Sequence, residues 1–307
     1  MNERLIGAVE AGGTKFVCGL ARTDGTVLAR ARLETGTAAD TLPAMRDFFA
    51  QSSASHGPIM AFGIASFGPL DLDPASPTYT AFTSTPKPGW RGARYADALG
   101  EFEAPLALDT DVNGAALGEF LAGAGRGCTT LAYTTVGTGV GTGVLHAGRA
   151  IGGWSHYEMG HIRPLHDLAV DPFAGVCPAH GDCLEGLASG RAIAARWGDE
   201  LSALAHRPET LALIGGYLGR FAATLALMHM PERMVFGGGV MKTPGLIERL
   251  RAETLRELAG YVGGPFSPGQ IEHTIVMPEL GNDAGLTGAI ELGRRMLPTG
   301  GPRPGGA

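Results

Sequence analysis

Leu5-Ile-Gly-Ala-Val-Glu-Ala-Gly12-Gly13-Thr14-Lys15-Phe-Val-Cys-Gly-Leu20 reads as a strand, a tight glycine turn and a second strand. A hairpin signal follows at Asp24-Gly25, and a β-rich run continues to Leu33. The same form returns about 125 residues later. There the chain reads Leu131-Ala-Tyr-Thr-Thr-Val-Gly137-Thr138-Gly139-Val-Gly141-Thr-Gly143-Val-Leu145, with a turn at Ala147-Gly148. Two strand–turn–strand–turn–strand units predict a two-domain α/β chain with related halves.

Outward from these units the pattern alternates. Residues 40–49 are expected to form a helix with Pro43 in its first turn. Residues 59–65 read as a buried strand, and 70–90, rich in Pro, Thr and Ser, as an ordered loop. A short strand over 105–111 leads into a helix from about Asn113 to Leu121. Helices are expected over 189–197, 209–228 and 283–296, the second weakened by Gly215-Gly216 and the third capped by Asp283. Met234-Val-Phe-Gly237-Gly238-Gly239 is a strand entering a glycine turn. The Pro/Gly-rich stretch 297–307 is expected to be a flexible tail.

Composition narrows the classes. A length of 307 residues suits about two domains. A chain 44% hydrophobic and 18% charged suits a globular protein. No apolar run approaches the roughly 18–20 residues of a membrane span, and Met1-Asn2-Glu3-Arg4 lacks the apolar segment of a secretory signal. The expectation is a cytoplasmic protein without a membrane partner. A net charge of −6 gives no electrostatic reason to bind nucleic acid.

Glycine turns that aim several backbone N–H groups at one point bind phosphate. Gly12, Gly13 and Thr14 form one such candidate, with Lys15 adding charge, and Gly137, Thr138 and Gly139 form another. Gly237, Gly238 and Gly239 offer a third approach. The Gly-x4-Gly-Lys-Ser/Thr loop is absent, and neither turn fits Gly-x-Gly-x-x-Gly opening a helix. Each turn alone reads more readily as a plain turn; the pairing, with Gly237-Gly238-Gly239 as a third approach, favours a polyphosphate. Asp111 stands where a strand hands over to a helix, a usual place for site residues in α/β proteins. Phosphoryl transfer to an alcohol needs a carboxylate to accept the hydroxyl proton. Asp111 is the candidate base; the alternatives are that it only caps the following helix, or that Asp109 serves.

His161, then Cys177-Pro-Ala-His180-Gly-Asp-Cys183, supplies two imidazoles and two thiols, a four-ligand set for structural zinc. A short disulfide or plain core thiols are the alternatives for Cys177 and Cys183. Glu158 and Glu185 flank this segment, and a metal clip would fix both carboxylates for a polyol ligand. His161 could give one nitrogen to the metal and the other to that ligand. Ordinary solvated surface is the competing reading for the glutamates.

At this point the chain resembles the ROK sugar kinases, and within them the bacterial fructokinase group. Glu10-Ala-Gly-Gly-Thr-Lys-Phe16 is similar to that family's first phosphate loop and Thr134-Thr-Val-Gly-Thr-Gly-Val-Gly141 to its second. Asp109-Thr-Asp-Val-Asn113 fits the catalytic segment, which implies Asp111 as general base. Glu158-Met-Gly-His161-Ile and Cys177-Pro-Ala-His-Gly-Asp-Cys-Leu-Glu185-Gly resemble the sugar- and zinc-binding signature. Gly63-Ile-Ala-Ser-Phe-Gly68-Pro69 and Thr85-Pro-Lys-Pro-Gly-Trp90 are fructokinase-like, and the former adds Gly68 and Pro69 to the sugar-site candidates.

The resemblance covers about residues 5–295. It implies a two-domain, actin-like (ribonuclease H-like) ATPase fold, with ATP and Mg2+ in a cleft between domains and a homodimer as the usual assembly. The smaller N-terminal α/β domain is expected over 1–115 plus about 285–296. The larger C-terminal one is expected over 116–284, with zinc bound within 161–183. The implied reaction passes the γ-phosphoryl group of ATP to the 6-hydroxyl of D-fructose. Mannose, glucose or an N-acetylhexosamine are the alternative acceptors, and a non-catalytic sugar-binding or sensing protein is the alternative class. Two departures stand out. Thr110 replaces the Asn that many family glucokinases carry before the catalytic Asp, which weakens a glucose assignment. Tyr157 stands where the fructokinase group carries Pro. The loop around Lys87 and Trp90 is left open between a sugar cover and a subunit contact.

Overall fold

A computed structural model describes residues 4–298. By contact density the chain divides into two compact units. One takes the chain up to Gly114 and again from Gly285; the other is Ala115–Ala284.

The first unit is built on a five-stranded sheet of β1 (Leu5–Ala11), β2 (Lys15–Arg22), β3 (Val27–Glu34), β4 (Ile59–Ser66) and β5 (Leu106–Thr110), in the order β3-β2-β1-β4-β5. The glycine turn and the Asp24-Gly25 turn make β1, β2 and β3 an antiparallel meander, and β4 and β5 run parallel to β1. Helix α1 spans Ala38–His56, so Pro43 stands inside it rather than in the first turn. The helix starts earlier than expected, at N-cap Thr37, and the missing N–H of Pro43 costs it one backbone bond. A short α2 (Tyr95–Leu99) follows, and α3 (Asp111–Ala122) leaves the end of β5.

The two faces of this sheet differ in size of side chain. Leu5, Val9, Phe16, Leu20, Phe62 and Ile64 pack with Met45 and Phe49 of α1. The period of two along β1 and β2 turns the small residues to the other face. There Ile6, Ala8, Val17, Ala61 and Ala65 meet Leu286, Ala289 and Ile290 of the chain's last helix. That helix lies so close that a Cβ on Gly63 would stand 1.9 Å from the Ala289 carbonyl oxygen. The 70–90 loop belongs to the larger face. Trp90 is fully buried between Phe16, Phe67 and Phe82 and donates its indole N–H to the Gly36 carbonyl at 2.9 Å. Trp90 is therefore core.

The second unit repeats the scheme. Strands β6 (Thr130–Val136), β7 (Val140–His146), β8 (Arg149–Ala150), β9 (Arg233–Gly237) and β10 (Ile275–Val276) lie in the order β10-β9-β6-β7-β8. Position by position this matches the first sheet: an antiparallel meander, then two strands parallel to the first. Its helices are α4 (Leu184–Ala188), α5 (Gly190–Trp197), α6 (Pro208–His229), α7 (Leu246–Leu258) and α8 (Ile271–Thr274). Helix α9 (Ala284–Met296) begins at the last residue of this unit and carries the chain back into the first.

The glycines that weakened the sequence reading of α6 serve packing. A Cβ on Gly215 would meet Arg249, and one on Gly219 would meet Glu253, at 2.6 and 2.4 Å. Their absence lets α6 and α7 touch along their length. Contrary to the expectation from apolar runs, α6 is long and apolar enough to cross a membrane by length and composition. Its most apolar window is 61% buried within the structure. The tail expected from residue 297 is described only to Pro298. Leu297 is buried, and the Pro298 carbonyl accepts from Arg4 at 2.9 Å; residues 299–307 lie outside the described residues.

Two buried carboxylates anchor loops in the second unit. Glu119, with no exposed surface, accepts the N–H groups of Ala124, Glu279 and Leu280 at 2.7, 3.1 and 2.8 Å. Asp171 accepts from Tyr217 of α6 at 2.7 Å and from Arg196 of α5 at 3.0 Å, so the long segment between His161 and Cys177 is fastened to both helices. Burial, followed by the bond to Asp171, pushes the Tyr217 phenol well above its ordinary pKa. Arg196 is 7% exposed at its side chain and Asp171 4%. Removing one member of so dry a pair strands the other charge and costs about 3–5 kcal/mol. Asp171→Asn is therefore expected to lower unfolding free energy by that amount in chemical denaturation. Asp47→Asn, at the exposed Arg46–Asp47 pair, is expected to change it by less than about 1 kcal/mol.

Candidate active site and metal cluster

In the first unit the parallel register brings three segments to one end of the sheet. Ala11 pairs with Ser66 and Ser66 with Thr110. The segments leaving these three strand ends thus lie side by side: the Gly12–Lys15 turn, Phe67-Gly68-Pro69, and Asp111. The Phe67 N–H donates to the Ala11 carbonyl at 2.8 Å. Ser66 Oγ lies 2.8 Å from the hydroxyl of the fully buried Tyr95, which steadies the start of the Gly68-Pro69 segment.

Hydrogen-bond accounting at the turn is one-sided. The Gly12 carbonyl accepts from the Thr35 hydroxyl at 2.9 Å, the Thr14 carbonyl from the Thr35 N–H at 3.1 Å, and the Gly13 carbonyl from Lys87 Nζ at 2.7 Å. The Gly12 N–H closes the turn onto Lys15 at 2.8 Å. The N–H groups of Gly13 and Thr14 have no acceptor among the described residues. A turn whose carbonyls are occupied and whose amides are open is an acceptor of anions.

Asp111 is the first residue of α3, and its Oδ1 accepts the Val112 N–H at 2.9 Å. The cap that serves the next turn is Thr110, whose Oγ1 accepts from the Asn113 N–H at 3.2 Å. Asp109 is engaged locally. Its Oδ1 accepts from the Thr110 N–H and from Asn113 Nδ2, both at 2.7 Å. The helix begins two residues earlier than the sequence suggested because Thr110, at the last residue of β5, supplies that cap.

In the second unit the turn between β6 and β7 carries Gly137, Thr138 and Gly139. The Gly137 N–H bonds the Gly139 carbonyl at 2.9 Å, and the Gly137 carbonyl accepts from Gly190, the first residue of α5, at 2.7 Å. The Thr138 and Gly139 N–H groups again have no acceptor among the described residues. Glu185 reaches this turn: its Oε2 accepts the Val140 N–H at 3.1 Å. A side chain at 139 would collide with that carboxylate, at 2.5 Å. Gly237 pairs with Thr135 in the parallel β6–β9 ladder, so Gly238 and Gly239 continue from the same sheet end.

Glu158 precedes a short 3-10 turn over Met159–His161, and its own carbonyl accepts the His161 N–H at 3.0 Å. Its carboxylate lies 3.4 Å from His156 Nδ1 and is half exposed. Gly160 abuts the Val140 carbonyl; a Cβ there would stand 1.9 Å away. Glu158, Glu185 and the second turn are thus packed into one region of this unit.

Beside them, one donor atom from each of His161, Cys177, His180 and Cys183 lies within 4.8 Å of the others. Nδ1 of His161 is 3.4 Å from the Cys183 sulfur and 3.7 Å from that of Cys177; Nδ1 of His180 is 3.6 Å from the Cys177 sulfur. The cysteines are not bonded to each other. Burial pushes the Cys183 thiol up to about 11. Cys183 also caps α4, accepting the Gly186 N–H at 3.4 Å, which sets Glu185 one residue into that helix.

Thr35 was not among the residues expected near the turn, and Lys87 entered only through a loop left open between a sugar cover and a subunit contact. Thr35 carries no local signal. Lys87 carries one, in the composition: the chain has three lysines against 21 arginines. Lys15 ends the first glycine turn, Lys87 touches it, and Lys242 closes the 3-10 turn after Gly239.

The fructokinase of Zymomonas mobilis is 43% identical over 295 residues, covering 95% of this chain and 97% of its own. Among solved structures, a ROK hexokinase from Thermus thermophilus superposes with a TM-score of 0.77 at 26% identity, covering 94% and 97% of the two chains. A ROK family glucokinase from Streptomyces griseus, solved with glucose and AMPPNP, gives 0.71 at 27% identity and covers 95% and 99%. The two-domain actin-like fold expected from the sequence is the fold of these neighbours. The ROK family model matches residues 6–296, and with a match of that length the chain belongs to the ROK family.

Proposed function

We propose that the protein is an ATP-dependent fructokinase, which transfers the γ-phosphoryl group of ATP to the 6-hydroxyl of D-fructose. The observation that carries this reading is the 43% identity to a fructokinase along 95% of the chain. A kinship of 27% to a glucokinase is weaker, and Thr110 stands where many family glucokinases carry Asn.

In this reading Asp111 accepts the proton of the attacking hydroxyl. The occupied local bonds of Asp109 and the cap supplied by Thr110 favour Asp111 over its competitors. The open amides of Gly13 and Thr14, with Gly12 and Lys15, and those of Thr138 and Gly139, with Gly137, hold phosphate oxygens; Gly237, Gly238 and Gly239 approach the nucleotide. Gly68, Pro69, Glu158, His161 and Glu185 orient the sugar. Mg2+ arriving with ATP would supply charge that offsets the negative charge developing on the phosphate oxygens.

The four-donor cluster is assigned to structural zinc. Zinc–sulfur bonds of about 2.3 Å and zinc–nitrogen bonds of about 2.0–2.1 Å at tetrahedral angles put neighbouring donors roughly 3.5–3.6 Å apart. The sulfur–nitrogen distances of 3.4, 3.6 and 3.7 Å match that edge. The zinc would fasten Cys183, and with it Glu185, and would take no part in the transfer. Because the Cys183 thiol is held near 11 by burial, metal binding must displace a proton and tightens as pH rises.

An assay of ADP release with Mg2+-ATP across fructose, mannose, glucose and N-acetylhexosamines tests the acceptor. Fructose is expected to give the highest kcat/KM; a clear preference for another sugar reassigns it. Asp111→Asn is expected to lower kcat by about 10³–10⁴ while fructose affinity and melting temperature stay near wild type; near-normal turnover places the base elsewhere. Cys177→Ser is expected to weaken zinc by more than about a hundredfold and to lower Tm. Metal analysis and thermal melts read both, and stoichiometric zinc in a Cys177, Cys183 double variant refutes the ligand set.

A further inference from the structure

Lys87 stands beside the first glycine turn without a role in the transfer chemistry assigned so far. Its Nζ rests 2.7 Å from the Gly13 carbonyl, at the exposed tip of that turn. One of its three protons is used there, which leaves two donor directions. The residue is half-buried, and its backbone is fixed. Pro86 and Pro88 flank it, its own N–H bonds Thr85 Oγ1 at 3.3 Å, and the Gly89 carbonyl receives the Ala38 N–H at 3.3 Å. Three residues on, Trp90 is locked in the core. A cation held this way is fixed on the turn that also carries two open amides, and a fixed cation stabilises charge developing on phosphate oxygens.

We propose that Lys87 binds the terminal phosphate of ATP and stabilises it during transfer. The inference rests on reading Gly12–Thr14 as a phosphate turn in a sugar kinase. Asp111 and the turn share one end of one sheet. The base must lie beside the attacking hydroxyl, so the phosphorus under attack lies at this sheet end too. The phosphate met by the Gly13 turn is therefore the one transferred. In the step, the sugar 6-oxygen forms a bond to the γ-phosphorus while the bond from that phosphorus to the β–γ bridging oxygen breaks. The bonding pair leaves on ADP, the hydroxyl proton passes to Asp111, and Lys87 contributes charge without exchanging a proton.

The test compares two nucleotides without sugar. Calorimetry of wild type, Lys87→Met and Lys87→Arg measures binding of Mg2+-AMPPNP and Mg2+-ADP. Lys87→Met is expected to weaken AMPPNP by about tenfold or more, as for loss of a charged hydrogen bond, and to leave ADP within about twofold. Its kcat on fructose is expected to fall by about a hundredfold, with KM for fructose and Tm little changed. Lys87→Arg keeps the charge and is expected to restore the AMPPNP preference. Equal changes for both nucleotides, the mark of a residue that merely props the turn, overturn the proposal. So does an unchanged AMPPNP affinity or an unchanged kcat. A wild-type protein with no turnover on fructose sinks the fructokinase reading instead, and the AMPPNP-to-ADP ratio still decides Lys87.

Discussion

Parallel pairing of β1, β4 and β5 decides where the chemistry of the first unit stands. Ala11, Ser66 and Thr110 are opposite one another, so the glycine turn, the Gly68-Pro69 segment and Asp111 leave the sheet at one level. A slip of one residue in β4 would turn its side chains to the wrong faces. The size difference between the faces resists that slip. Phe62 and Ile64 fill the α1 side, whereas the α9 side leaves less than a Cβ of space at Gly63. Forcing a phenyl or isoleucyl group there costs more than the roughly 1–3 kcal/mol of ordinary overpacking, because the obstacle is helix backbone. Small residues on one face therefore do more than admit a helix; they fix the register that assembles the site.

The second unit uses the same strand order and supports its turn by other means. Its turn is held by Glu185, through Val140, and by Gly190. Glu185 lies on α4, a helix of five residues. So short a helix has no stability of its own, so its position depends on its anchored ends. Cys183 caps one end and Ser189, the cap of α5, follows the other. The four-donor cluster thus acts on the glycine turn through a chain of named contacts: Cys183 to α4, Glu185 to Val140. A metal in the cluster would stiffen a glycine turn it does not touch.

The features legible in the sequence were local. Apolar and β-rich runs gave the strands, the glycine pairs gave the turns, and ligand spacing gave the four donors that the fold gathers. The features that stayed hidden depend on partners distant in sequence. Gly215 and Gly219 weaken a helix until α7 is known to lie against them. Trp90 looked like a possible surface contact, yet its neighbours are Phe16, Phe67 and Phe82. The apolar window of α6 did not stand out among its glycines, a threonine and a tyrosine, though its mean hydropathy of 1.5 meets the measure of a membrane span. Glu119 and Asp171 carry no local signal and are buried anchors. Asp111 was singled out by its position and by the resemblance of its segment; the role of Thr110 as the cap needed coordinates.

The lysines show how composition can carry what periodicity cannot. A chain with 21 arginines readily supplies guanidinium groups for its surface, yet each of its three lysines adjoins a glycine turn. Guanidinium is a planar fork suited to a fixed, bidentate partner, whereas an ammonium is a compact charge with three rotatable donors. A phosphoryl group in transfer offers no fixed geometry, since its three oxygens flatten as bonding passes from one side of phosphorus to the other. An ammonium at position 87 can keep one proton on the Gly13 carbonyl while the others track those oxygens. An arginine there would match one stage of the transfer at the expense of the next.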